Sequence, residues 1–470
     1  MKRFMTLALV AMFVLGLASM SAAKEVQMKG QFVHHVTWLD NADFSKDNSE
    51  NEFRADQRIR VYFDYISSEA LNAVLGFEIN SQWGNVDEGG DLGTDGLSVL
   101  VKHAYTNFVI PHTPVSVRVG LQPVAWKGAY GSPIFDDDAA GIIMNAPFTD
   151  WFSASLGWVR AYDNLADDEN KLRPDDSMDL ITLSLDFMGD GWSVTPYGIF
   201  SFLGHNAWND MYERQFPSPA NSTAEEDIFA FNGLAPLGPN YRADDDMYVW
   251  WTGLNFDVSV LDPIVIKGDF IYGSVDADES ENDRSGWFAD LGIEYKVSWG
   301  TFGLMGMYGS GEDDDLDNGS EAMPVLNDSG FGLTTFGFSG AVTGGFDSAL
   351  GTARYDMWAI GAYLADFTFI EDLTHKLIVV YGQGTSDSEA IEDAVTAGTD
   401  PFDLGAVLSD EDSFVEVNFD TQYMIYENLA AIAELGYIYM DRDSDTWKGS
   451  DLEDADDDAF KAAFYLKYDF

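Results

Sequence analysis

Residues 460–470 read FKAAFYLKYDF. Phe460, Ala462, Phe464, Leu466, Tyr468 and Phe470 share one parity, and Lys461, Ala463, Tyr465, Lys467 and Asp469 share the other. Successive side chains of a strand point to opposite faces. The stretch therefore predicts a strand with one apolar, aromatic-ended face and one wetter face. A soluble antiparallel sheet alternates in the same way. What decides between the two is whether the rest of the chain alternates, and what separates the alternating stretches.

The chain alternates throughout. In 53–65, Phe53, Ala55, Ile59, Val61, Phe63 and Tyr65 oppose Arg54, Asp56, Arg58, Arg60, Tyr62 and Asp64. In 286–297, Trp287, Leu291, Ile293 and Tyr295 oppose Asp290, Glu294 and Lys296. In 26–38, His34 interrupts an otherwise apolar face. The faces of 98–109 stay unassigned, because both parities are mixed. Taken together, the stretches number 18; 16 is the alternative, because the segment 139–146 is weak and strand boundaries are loosely defined by sequence. Their connections alternate too. Short ones carry Gly, Pro, Asp and Asn, which is turn chemistry. Long ones, such as 204–246, 311–354 and 441–458, carry most of the acid.

The N-terminal residues 1–23 read as a secretory signal: Lys2 and Arg3, an apolar core, then Ser21-Ala22-Ala23 before cleavage. No other apolar run is long enough for a membrane helix. Helices and closed barrels are the structures that pair every backbone polar group inside a bilayer. The expected architecture for residues 24–470 is therefore an all-β, transmembrane, antiparallel up-and-down barrel. Short turns lie on the periplasmic rim and long acidic loops outside. Cysteine is absent, which excludes disulfides and thiolate chemistry. Without Lys2 and Arg3, 23 basic side chains face 80 acidic ones. Nucleic-acid binding, which needs basic patches, is excluded.

Two stretches resemble a known family. The terminal Tyr468-Asp469-Phe470 resembles the C-terminal assembly signal of bacterial outer-membrane barrels. Residues 119–141, VGLQPVAWKGAYGSPIFDDDAAG, follow the fifth strand and resemble the third loop of the general trimeric porins, most closely the homotrimeric porins of sulfate-reducing bacteria. The resemblance implies that 123–138 folds into the barrel as a constriction loop, with Asp136, Asp137 and Asp138 near the eyelet. It implies a water-filled channel for passive diffusion of small hydrophilic solutes and ions. Partners would be two further copies of the chain, outer-membrane lipid and lipopolysaccharide, and the barrel-insertion machinery. The location would be the outer membrane of a Gram-negative bacterium. The chain departs from the common plan in having nine long loops rather than eight.

Facing the Asp triplet, the sequence offers Arg54, Arg58 and Arg60 on one strand, with Lys29 and Arg118 on neighbours. Residues two apart share a face about 6.6 Å apart, so Arg58 and Arg60 form a basic row. The alternatives are a solvated rim run for the aspartates and ion pairs with Asp56, Asp64 and Glu78 for the arginines. Two other functions stay open. One is a substrate-selective channel for sugars or organic acids. The other is a non-conducting structural or adhesive barrel. No catalytic constellation is present: the histidines are scattered, with no HExxH and no G-x-S-x-G, so no enzyme is expected. In 311–321 the spacing of Asp313, Asp315 and Asp317 does not complete an EF-hand loop. No cofactor is expected, beyond diffuse calcium or magnesium on the acidic loops.

Overall fold

The computed structural model describes residues 25–46, 51–86, 90–93, 98–126, 128–163, 174–215, 233–236, 242–316, 318–326, 331–344, 348–350, 356–397 and 408–470. The expected signal, 1–23, lies outside them. Eighteen strands form one sheet, each pairing antiparallel with its chain neighbours. In chain order they begin with β1 Glu25–Asp40, β2 Asn51–Ser68, β3 Leu71–Gln82, β4 Leu100–Val109, β5 Ser116–Ala125 and β6 Asp136–Thr149. Then come β7 Phe152–Asp163, β8 Ser177–Gly189, β9 Trp192–Leu203, β10 Met247–Leu261, β11 Ile264–Asp276 and β12 Arg284–Val297. The last six are β13 Gly300–Gly309, β14 Met357–Ile370, β15 Leu373–Gly384, β16 Ser413–Tyr426, β17 Leu429–Asp441 and β18 Asp458–Asp469. The weak segment 139–146 lies wholly within β6, which settles the count at 18 rather than 16.

The last strand closes the ring. β18 pairs with β1 from Gln31↔Asp469 to Asp40↔Phe460, and Phe470 exchanges backbone hydrogen bonds with Gly30 at 2.9 and 3.0 Å. Closure leaves no sheet edge. Its face assignment is as the parity predicts. Phe464 and Leu466 are 55% and 42% exposed, whereas Lys461 and Ala463 are wholly buried. A sandwich would bury the apolar parity instead. Here leucine, isoleucine and phenylalanine cover the outside, and the polar parity faces the lumen. No helix among the described residues is long and apolar enough to cross a membrane.

Seven of the eight short connections are two residues long; the eighth, between β4 and β5, spans 110–115. Gly191 and Asp372 adopt positive φ in two of them, as tight hairpin turns require. Aromatic side chains gather near the strand ends. Phe152 and Phe187 stack at 5.0 Å near the short-turn rim, and Trp287 and Tyr308 at 4.6 Å towards the other. Among the described residues, two helices, α1 His205–Gln215 and α2 Ser388–Ala397, sit in long connections and are unannounced by the strand pattern. Each turns a small apolar stripe inward: Ala207, Trp208 and Met211, and Ala390, Ile391 and Ala394.

β4 resisted face assignment for a physical reason. Its register with β3 shifts between Gly76↔His103 and Phe77↔Val101, leaving Lys102 as an extra residue. A bulge of this kind inverts the parity on one side of it. His103, Tyr105 and Asn107 take the lumen face below the bulge, and Lys102 joins them.

Candidate functional site

Among the described residues, two inserted segments cross the polar lumen. The first is the tip of the β5–β6 hairpin. β4 pairs with β5 only as far as Ala104↔Leu121, whereas β5 and β6 remain paired up to Ala125↔Asp136. The hairpin thus leaves the wall near Gly120, whose φ of 127° belongs to glycine, and where a Cβ would lie 2.2 Å from the Ala104 carbonyl oxygen. Its loop spans 126–135, shorter than the expected 123–138, because both strands run further than their sequence suggests.

The tip reaches the far wall. The Ala129 N–H donates to the Asp269 carboxylate on β11, 2.5 Å away. The Tyr130 ring lies 4.6 Å from the Lys267 ammonium. Lys267 in turn pairs with Glu294 on β12 at 2.9 Å, and the Tyr363 hydroxyl donates to Glu294 at 2.7 Å. Ile134 is fully buried, and Trp126 packs on Phe135 with ring centres 5.7 Å apart. The loop is held at both ends and at its tip.

The aspartate triplet opens β6 instead of lying in the loop. Asp138 is held directly by the wall: Lys102 at 2.6 Å and His103 at 2.9 Å. Lys102 also lies 3.9 Å from Glu78, which Arg60 contacts through a short charge-assisted bond. The structure therefore gathers Arg60, Glu78, Lys102, His103 and Asp138 into one half-buried cluster. Acid and base touch here rather than facing each other across a gap. Asp136 and Asp137 are exposed beside it.

The other expected basic residues sit apart from that cluster. Arg54 neighbours Glu52 and Asp56 at 3.4 and 3.6 Å. Arg118 donates to Asn107 at 2.9 Å and lies over the Tyr105 ring. Lys29 is exposed near the short-turn rim, opposite Tyr62 in register. Arg58 serves a different purpose. It donates to the Thr343 and Val342 carbonyl oxygens at 2.9 and 3.0 Å.

Those carbonyls belong to the second inserted segment, 331–344, from the connection between β13 and β14. Strand alternation alone reads 311–354 as one outer loop and gives no sign of this insertion. Its signal was composition: between Asp328 and Asp347 no residue is charged, and glycine, threonine and phenylalanine dominate. Wall side chains hold it mainly by its backbone. Lys461 donates to the Thr335 carbonyl at 2.8 Å and Lys376 to that of Leu333 at 3.2 Å. The Gly337 and Val342 N–H groups donate to Glu416 and Glu434 at 2.8 and 2.9 Å. Phe331, Phe336 and Phe338 are buried above these contacts. The two insertions also bind each other: the Gly332 N–H donates to the Tyr130 carbonyl at 2.7 Å, and Gly131 bridges Phe331. Together they span the lumen from β11 and β12 to β15–β18 and β2.

Among solved structures, several share this fold over nearly the whole chain. The outer membrane protein OprD of Pseudomonas aeruginosa aligns with a TM-score of 0.53 at 11% identity, covering 94% of this chain and 93% of that one. OccAB4 of Acinetobacter baumannii aligns at 0.53 and 11%, covering 95% and 99%. OccK3 (OpdO) of Pseudomonas aeruginosa aligns at 0.52 and 9%, covering 98% and 99%. No protein-family model and no curated protein matches the sequence. At these identities the likeness is one of fold.

Proposed function

We propose that the protein is a porin of the Gram-negative outer membrane, passing small hydrophilic solutes and ions by diffusion. The observation that carries this reading is a closed 18-stranded barrel with an apolar exterior and a charged lumen. A structural likeness to an outer membrane protein supports the location. The reading is of a channel and not of an enzyme. Homotrimeric assembly, lipopolysaccharide contact and kinship with the porins of sulfate-reducing bacteria belong to the same proposal and rest on the sequence resemblance.

The narrowing by two segments favours a second reading within channels, a pore selective for one solute class. Reconstitution into planar bilayers tests both. Stepwise conductance is expected, and a saturable block by the preferred solute would identify the selective form. A barrel that inserts without conducting is the structural or adhesive alternative.

Assembly gives a separate prediction. Phe470 ends the outward aromatic row with Tyr468 and Phe32, at ring distances of 5.9 and 5.7 Å. As the insertion signal, it is needed before the barrel exists. Deleting Phe470 should leave the chain degraded or aggregated in the periplasm. Unchanged outer-membrane levels on fractionation would rule the signal out.

A further inference from the structure

We propose that segment 331–344 is a displaceable plug. Docked, it fills the β15–β18 side of the lumen; released, it opens that side to solutes. The inference rests on the channel reading above and adds an autoinhibitory contact to it.

The argument is one of energy balance. The wall beneath the segment carries Lys376, Lys461 and Arg58 against Glu416, Asp420 and Glu434, equal in number. Lys461 and Glu416 are wholly buried and Glu434 is 2% exposed. Asp269 and Asp290 are likewise buried beneath the first inserted segment, whereas Arg60, Glu78, Lys102 and Asp138, beside neither segment's core, keep contact with solvent. What buries Lys461, Glu416 and Glu434 is the segment itself. Taking charges out of water is costly, and the cost is offset only where hydrogen bonds replace the hydration. Here they do: each named bond joins a wall charge to a loop amide or carbonyl. Undocking exchanges these bonds for water ones and at the same time returns the buried charges to solvent, so the loss of the first is offset in part by the hydration of the second. These bonds go to the loop backbone, and the Thr334 and Thr335 hydroxyls add side-chain bonds to Glu416 at 2.9 Å and to Asn418 and Asp420 at 2.8 and 2.9 Å. The phenylalanines are what hold the docked state. Phe336 packs on Gly436 of β17, where a Cβ would lie 2.5 Å from the Phe336 Cβ. Phe338 lies 6.3 Å from Phe414, ring centre to ring centre.

The native chain has no cysteine, so an introduced pair has only itself to oxidise with. Phe336→Cys with Gly436→Cys places the two Cβ atoms in neighbouring positions. The segment has to yield by about 1 Å to reach the Cβ spacing of a disulfide. The test is single-channel recording of this variant, oxidised and then reduced in the same bilayer. A second variant replaces 331–344 by a short glycine-serine link. Oxidised protein should hold one low conductance level. Reduction should add a larger level, and the deletion variant should show that larger level alone. Equal conductance in the oxidised, reduced and deleted forms overturns the plug while leaving the channel. A folded deletion variant with no conductance at all overturns the channel reading instead, and the plug with it.

Discussion

An Ile293→Arg chain should give much less folded barrel than the parent, and Glu294→Gln should not. The two residues are neighbours on β12 with opposite surroundings. Ile293 is 46% exposed on the outer face, in register with Ile266 and Leu304, which face outward with it. Glu294 faces the lumen, where Lys267 and Tyr363 hold it. An outward arginine costs about 2–4 kcal/mol at the bilayer midplane and less towards the interfaces. Outward aromatics bracket the apolar part of β12 at Trp287 and Tyr295, which puts Leu291 midway and Ile293 nearer the short-turn rim. Leu291→Arg should therefore cost more than Ile293→Arg. Glutamine at 294 keeps an acceptor for the Tyr363 hydroxyl and loses a partly exposed ion pair, worth about 1 kcal/mol or less. The heat-modifiable fraction on gels, after refolding into lipid, measures all three. The reverse order would mean that β12 is out of register by one residue, which exchanges its faces.

The barrel was legible in the sequence because its rule is local. Each strand must offer lipid an apolar parity, so Phe464 and Leu466, or Leu291 and Ile293, declare their face without knowledge of their neighbours. The rule fails where the backbone breaks the period. The Lys102 bulge hid the faces of β4, and with them the partner of Asp138. It fails again for insertions into the lumen, whose burial depends on distant walls. Asp136, Asp137 and Asp138 pointed to the β5–β6 hairpin through a resemblance, yet the hairpin strands extend past Pro123 and take in the triplet. Segment 331–344 had no such pointer. Its partners Arg58, Lys376, Glu416, Glu434 and Lys461 come from β2 and from the consecutive strands β15–β18, none of them next to the segment in sequence. Arg58 faces the lumen, where it donates to loop carbonyls. α1 and α2 were missed because strand alternation says nothing about connections, although Ala207 and Trp208 with Met211 mark an inward helical stripe.

Neutralising Asp136, Asp137 and Asp138 to asparagine should move the channel's reversal potential toward anions under a salt gradient. Charge at a narrow section selects ions by sign. With 80 acids against 23 bases in residues 24–470, the mouths should gather cations, and a weak cation preference is expected of the parent. Asp138 is the counter-charge to Lys102 at 2.6 Å and contacts His103 at 2.9 Å. Without it, Lys102 has Glu78 at 3.9 Å, and Glu78 is already engaged by Arg60. The cluster then carries excess positive charge at the place where the hairpin leaves the wall. The shift should shrink at high salt, where the Debye length falls to about 3 Å at 1 M. Adding Lys102→Gln to the triple variant separates charge from shape. If the freed ammonium causes the shift, the addition should return the reversal potential most of the way to the parent's. If the triplet acts by positioning the hairpin, Lys102→Gln should leave the shift in place. An unchanged reversal potential at low salt in the triple variant would put the triplet off the ion path, and the constriction-loop assignment would fall with it.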